Sequence, residues 1–201
     1  EALATMQDDG LLTTRPGSGV FVAEVLGAAF SPALVRLIGR HPQAATDYLV
    51  FRKDLEGLAA ERAATAAGAT DLALLDRIAE DMRAAHDRAD PRTEAALDAD
   101  FHMAIVEASH NIIALHMMRA MQDLLRQGML FSRARIFEQP DLRDLILDQH
   151  LTINAALQAR DGATARAALE RHLDCVAGSL ADQRRLDDQE AVARLRLQHR
   201  D

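Results

Sequence analysis

Cysteine is almost missing from this chain. Cys175 is the single one in 201 residues, so no disulfide can form within it, and a reducing, cytoplasmic setting is expected. Tryptophan is absent, aromatics reach only 3% and Pro is held to 5 residues. What remains is dominated by Ala, Leu, Arg, Asp and Glu, the composition of an all-helical protein. No apolar run approaches the ~20 residues needed to cross a bilayer, and no stretch has the form of a signal peptide. Positive charge is also short. A formal net charge of −8 excludes a uniformly basic nucleic-acid binder, so any contact with DNA has to be local. At this length the chain can bury one substantial core with a small appendage.

Within that helical background, Asp98-Ala-Asp-Phe-His102 sets a carboxylate and an imidazole four residues apart in an apolar stretch. On a helix, positions i and i+4 lie above one another on one face, so both groups can reach one point. His150 keeps the rhythm of Leu142, Leu145, Ile146, Ile153 and Leu157. His172 keeps that of Ala168, Leu169, Leu173, Val176 and Leu180, so both histidines face a shared interior. One carboxylate and three imidazoles converging in a bundle core make a divalent-metal site. Asp100 lies two residues before His102 and faces elsewhere. His41, His86, His110 and His199 fall near helix ends or in the tail and are read as solvent-facing. His116 fits either side of its helix, and Cys175 reads as a small core residue.

The chain opens with the tail of a helix closed by Gly10, followed by two short strands around Arg15-Pro-Gly-Ser-Gly19, a β-hairpin with a glycine-rich tip. Two strands and part of a helix cannot fold alone, so upstream residues that complete a small domain are expected. Ser31 and Pro32 start a short helix that runs to Ile38 and is ended by Gly39 and His41-Pro42. Long helices are expected over residues 43–67, 71–90, 93–109 and 112–135, then from Pro140 and from Gly162. Beyond Gln183 the apolar stripe dissolves, and residues to Asp201 read as a solvated, frayed helix. Short loops between such helices give an antiparallel bundle.

These residues carry a resemblance. Glu1 to Val22, with Thr13-Thr-Arg-Pro-Gly-Ser-Gly-Val-Phe-Val22 as its signature, resembles the end of the recognition helix and the wing of GntR-type winged-helix regulators. The remainder resembles the FCD (FadR C-terminal) effector domain. The hallmarks are Arg52-Lys-Asp-Leu-Glu56, Asp98-Ala-Asp-Phe-His102 with Ala108-Ser-His-Asn111 after it, Gln149-His150 and Arg171-His172. His110, where glycine is common in the family, is a departure.

The resemblance implies an all-α fold, an antiparallel bundle of six to seven helices preceded by a partial winged helix-turn-helix remnant. Residues 1–24 would be the remnant, 25–42 a linker with a short helix, 43–183 the effector-binding and dimerisation domain, and 184–201 the tail. It also implies a ligand-responsive transcriptional repressor acting as a homodimer on operator DNA, with wing contacts from Arg15, Gly17, Ser18 and Gly19. The family's metal ligands map onto Asp98, His102, His150 and His172. Zinc is the expected ion, with nickel and manganese as alternatives.

Arg52 lies on the stripe of Tyr48, Leu55 and Ala59, so a permanent cation points into the bundle and needs an anion. Glu56, one turn on, is one partner. The carboxylate of a small effector is the other, favoured by resemblance to regulators that sense carboxylic acids. Asn154, one turn after His150, is expected to face the same cavity and bond a hydroxyl or keto group. The stretch from Gln127 to Phe137 resembles the lactate and pyruvate branch, which makes a hydroxy or keto acid the expected effector.

Two other readings compete: a metal-dependent hydrolase or lyase, since an open metal site can activate water, and a purely structural metal in a dimerisation module. No H-E-x-x-H helix and no second carboxylate cluster supports the enzyme. The wing argues for the regulator.

Overall fold

A computed structural model describes residues 2–9, 12–15, 19–22, 31–41, 43–126 and 134–198. It opens with helix α1 (Ala2–Asp8) and a hairpin of β1 (Leu12–Arg15) and β2 (Gly19–Val22). The strands pair antiparallel, Leu12 opposite Val22 and Arg15 opposite Gly19. Gly19 has φ of 103°, a backbone conformation strained for any residue with a side chain, which explains the glycine. Gln7 donates its side-chain amide to Thr14 Oγ1 at 2.6 Å and ties α1 to β1.

Helices follow without further strands among the described residues: α2 (Pro32–Arg40), α3 (Ala44–Ala66), α4 (Ala69–Asp87), α5 (Pro91–Ala108), α6 (Ile112–Arg126), α7 (Ala134–Phe137), α8 (Pro140–Gln158) and α9 (Gly162–Gln198). None is long and apolar enough to cross a membrane. The helix starts obey their caps more closely than the sequence pattern implied. Asp71 lies inside α4 rather than opening it, and its Oδ2 accepts the Gly68 N–H at 2.8 Å. Pro91 begins α5 instead of ending α4, with Asp90 accepting the Thr93 N–H at 3.2 Å. The helix expected over 112–135 is described only to Arg126; residues 127–133 lie outside the described residues, and α7 covers Ala134–Phe137. Beyond Gln183 the chain continues as the solvated helix that the sequence pattern implied. Helix α9 runs on to Gln198, exposed from Arg184 onward, with Arg194 bonded to Glu190 at 3.0 Å.

Three links share one design. Ala89, His110 and Arg160 have φ of 51°, 51° and 56°, and each is followed by an Asx residue that caps the next helix. Asp90 accepts from Thr93 N at 3.2 Å, Asn111 from Ala114 N at 3.2 Å, and Asp161 from Thr164 N at 3.0 Å. These links hold α4, α5 and α6, and likewise α8 and α9, as tight antiparallel neighbours. The core is alanine-rich where α3 meets α9. A methyl group on Gly162 would stand 2.8 Å from the Glu61 carbonyl oxygen, so the backbones touch there. Larger side chains, among them Leu75, Phe101, Ile105, Ile153, Leu157 and Leu169, fill the rest. Each such buried side chain contributes about 1.5–3 kcal/mol, and together they fix α5, α8 and α9 around one polar point.

Candidate metal centre

Asp98 and His102 project from successive turns of α5, His150 from α8 and His172 from α9. Their exposures are 6%, 0%, 1% and 1%. Their apolar neighbours along each helix require that face to turn inward, which carries the polar groups with it. His102 Nε2 lies 3.2 Å from His172 Nε2 and 3.4 Å from His150 Nε2. Asp98 Oδ1 lies 3.3 Å from His150 Nε2 and 3.6 Å from His102 Nε2. All four ligand atoms fall within 4.8 Å of one another. With metal–nitrogen bonds of about 2.0–2.1 Å, neighbouring donors on one ion stand about 2.9–3.4 Å apart. The residues present therefore fit a divalent ion, and the cluster could hold one. Phe101, fully buried, sets its ring edge-on to His150 with centroids 5.3 Å apart.

The imidazoles are turned by their outer nitrogens. His102 Nδ1 meets Glu56 Oε2, and His172 Nδ1 meets Gln149 Oε1 at 3.0 Å. Those oxygens accept only, so each imidazole donates its Nδ1–H and turns the Nε2 lone pair to the centre. Glu56 is wholly buried on α3, and its other oxygen accepts from Arg52 Nε. The sequence pattern paired Glu56 with Arg52 and missed the imidazole. Gln149 was legible only as the neighbour of His150.

Burial dominates the electrostatics. Desolvation pushes His150 below the ordinary imidazole range, with Asp98 opposing in part. It pushes His172 further down, reinforced by His150 and His102. Burial also disfavours the Glu56 anion, but Arg52 and then His102 outweigh it and hold the carboxyl at about 2. Arg52 likewise loses hydration, yet Glu56, Tyr48 and Asp98 more than offset that and raise its pKa above the usual value. Neutral imidazoles beside a charged carboxylate are the state that binds metal.

Arg52 is 2% exposed, and its Nη2 is buried without a hydrogen-bond partner. Asn154 is buried but does not face the centre. Its amide donates to Asp76 Oδ1 at 2.9 Å and accepts from Gln158 at 3.2 Å. One turn beyond His150 the stripe has moved up the helix axis to face α4, which corrects the expectation that it lines the effector cavity. His86 is also not simply solvent-facing: its ring is 21% exposed and lies 3.1 Å from Asp144 and 3.7 Å from Glu94. His110 is exposed and 3.0 Å from Asp71, His41 is exposed, His116 and Cys175 are half-buried, and Asp100 is exposed. His199 lies outside the described residues. Arg15 and Gly19 end the two strands, whereas Gly17 and Ser18 lie outside the described residues.

Comparison with known proteins follows the same line. The FCD domain matches residues 47–174, a span that contains all four candidate ligands and Arg52. A protein described as an L-lactate dehydrogenase operon regulatory protein, from Escherichia coli (strain K12), is 30% identical over 195 residues, covering 95% of this chain and 73% of its own length. The Glc operon transcriptional activator of the same organism is 30% identical over 186 residues, covering 90% of this chain and 73% of its own. Among solved structures, a Streptococcus agalactiae GntR protein superposes with a TM-score of 0.68 at 22% identity, covering 89% of this chain and 79% of that one, and shares the fold. These relatives are regulators rather than enzymes, which removes the hydrolase or lyase alternative. An all-α bundle carrying the FCD match over most of its length, with regulators as relatives, places the chain in the FCD-domain family of GntR-type transcriptional regulators.

Proposed function

We propose that this chain is a ligand-responsive transcriptional repressor whose bundle holds a divalent ion, zinc first, on Asp98, His102, His150 and His172. A small monocarboxylate, in this reading, binds between that ion and Arg52. The observation that carries the reading is the buried, unpartnered Nη2 of Arg52 beside a cluster spaced for one ion. A bound ion supplies a Lewis-acid anchor for an oxygen of the effector. Arg52 supplies a charged donor aimed at its carboxylate.

Charge balance favours a monoanion. Arg52 and Glu56 cancel, Asp98 carries one negative charge, and a divalent ion leaves one positive charge buried and uncompensated. One carboxylate neutralises it. The name of the E. coli relative points to L-lactate, a hydroxy acid with one carboxylate. Effector binding would shift the balance between states of a cytoplasmic homodimer, and thereby the spacing of two winged helices on operator DNA. The β1–β2 hairpin is the wing of this reading, and Arg15, Gly17, Ser18 and Gly19 are its proposed DNA contacts.

The test is calorimetric titration of L-lactate and pyruvate into zinc-loaded wild type, Arg52→Ala and Arg52→Lys, with zinc measured in each. Loss of a buried charged contact costs on the order of 2–5 kcal/mol, about 30-fold or more in affinity. Arg52→Lys recovers little because a point charge cannot reproduce the guanidinium fork. Equal affinities at equal zinc content would return Arg52 to a structural role opposite Glu56 and leave the ion as a structural element.

A further inference from the structure

Glu56 contributes no ligand to the candidate centre, yet it is the most enclosed carboxylate in contact with it. It sits at 0% exposure on α3, a helix from which none of the four donors comes. Its two oxygens do different things: Oε1 accepts from Arg52 Nε and Oε2 accepts from His102 Nδ1. The pair of contacts fixes the carboxylate in place from one side and the imidazole from the other. The other oriented imidazole, His172, has a neutral partner in Gln149. The two ligands are therefore held unequally, one by a charged acceptor and one by an amide oxygen.

We propose that Glu56 is a positioning residue for the metal centre: it holds His102 with the proton on Nδ1, so that Nε2 is the ligating atom, and makes His102 a stronger imidazole donor than His172. The inference rests on the metal-binding reading above. A carboxylate accepting the outer N–H of an imidazole fixes its tautomer and raises its basicity as a ligand, and loss of such a partner costs about 10- to 100-fold in metal affinity. A neutral amide oxygen orients the ring with a smaller gain in basicity. The expected order of loss is thus Glu56 before Gln149, although both lie outside the ligand set. Arg52 has a share in this arrangement, because its Nε keeps the second oxygen of Glu56 occupied and the carboxylate turned toward His102.

Long-range proton–nitrogen NMR of the metal-free wild-type chain reads the tautomers directly. His102 is expected with its proton on Nδ1, and a proton on Nε2 overturns the proposal without any variant. Competition titrations with zinc, and absorption spectra with cobalt(II), then compare wild type, Glu56→Gln, Gln149→Leu and the double variant Arg52→Met/Glu56→Leu. The double variant guards against unfolding, since Glu56→Gln alone leaves the buried guanidinium short of its counter-charge. Zinc affinity is expected to fall about 10- to 100-fold in both Glu56 variants and less in Gln149→Leu, with unchanged helical circular dichroism and a shifted cobalt band. Wild-type affinity in folded Glu56 variants, or a larger loss in Gln149→Leu, overturns the role assigned to Glu56 and leaves the centre standing. Failure of wild type itself to bind either ion overturns the metal-binding reading and the proposal together.

Discussion

With zinc on the four-residue cluster, as proposed above, stripping the ion should lower the melting temperature by an amount that can be worked out in advance. The four donors come from three helices, and none is more than 6% exposed. An unfolded chain cannot reproduce that arrangement, so the free energy of binding passes to the folded state. At a free ion concentration a hundred times the dissociation constant, the gain is about 2.7 kcal/mol. For a chain of this size each kcal/mol is worth about 2–4 °C, which gives a shift of about 5–11 °C. The pH dependence has a definite sign. His150 and His172 have folded pKa values below their ordinary 6.5. In the metal-free protein the stability they confer is complete above that value and is lost as pH falls through their lowered ones. Glu56, lowered from 4.5 to about 2, adds a contribution lost only in stronger acid. The metal-free protein should therefore melt at a nearly constant temperature through neutral pH as far as these groups decide it, and progressively lower below about 6.5. The zinc increment should vanish as the imidazoles take up protons. The assay is differential scanning calorimetry of chelated and zinc-loaded wild type, with His172→Ala as a control that should lose most of the zinc response. Coincident melts of the two wild-type forms near neutral pH, with removal of the ion confirmed by elemental analysis, would refute the reasoning.

Two pairs of substitutions test the frame around the centre. Ala89→Gly relieves a left-handed backbone position at φ 51° and should stabilise the protein by up to about 1 kcal/mol in chemical denaturation. Arg160→Gly should gain less, because the Arg160 side chain donates to the Ala64 and Ala67 carbonyls at 3.3 and 3.0 Å. Gly162→Ala, whose new methyl would meet the Glu61 carbonyl oxygen at 2.8 Å, should cost about 1–3 kcal/mol. Gly57→Ala should be nearly neutral, since the contact at 3.1 Å is the movable end of Glu170.

The convergence of the four candidate ligands was readable because each sits on an apolar stripe whose period fixes where it points. Asp98 and His102 need one helix, and His150 and His172 need only that their stripes face inward. Glu56 was half readable. Its spacing from Arg52 announced one partner, but a carboxylate has two oxygens, and the second reaches a residue 46 positions away on another helix. Periodicity carries no information about which helices become neighbours. Asn154 failed for a related reason: one turn along α8 keeps the stripe but changes the facing helix from the centre to α4. The links were obscured because Ala89, His110 and Arg160 occupy positions where glycine would have flagged the turn. The Asx cap that follows each was the signal left in the sequence. Helix α9 outran its apolar stripe because ion pairs such as Arg194–Glu190 extend a solvated helix without a core.

Those three links act as indexing pins. Each has one left-handed residue and one Asx cap, with almost no slack between the helices it joins. Such a link transmits rotation as a rigid coupling does, so the angular phase of α5 is set by α4, and that of α9 by α8. One residue inserted beside Asp161 would advance α9 by about 100°. His172 would swing away from His102 while every amino acid of the centre remained in the chain. The outer faces of the helices are free to vary in sequence, but the lengths of these links are not.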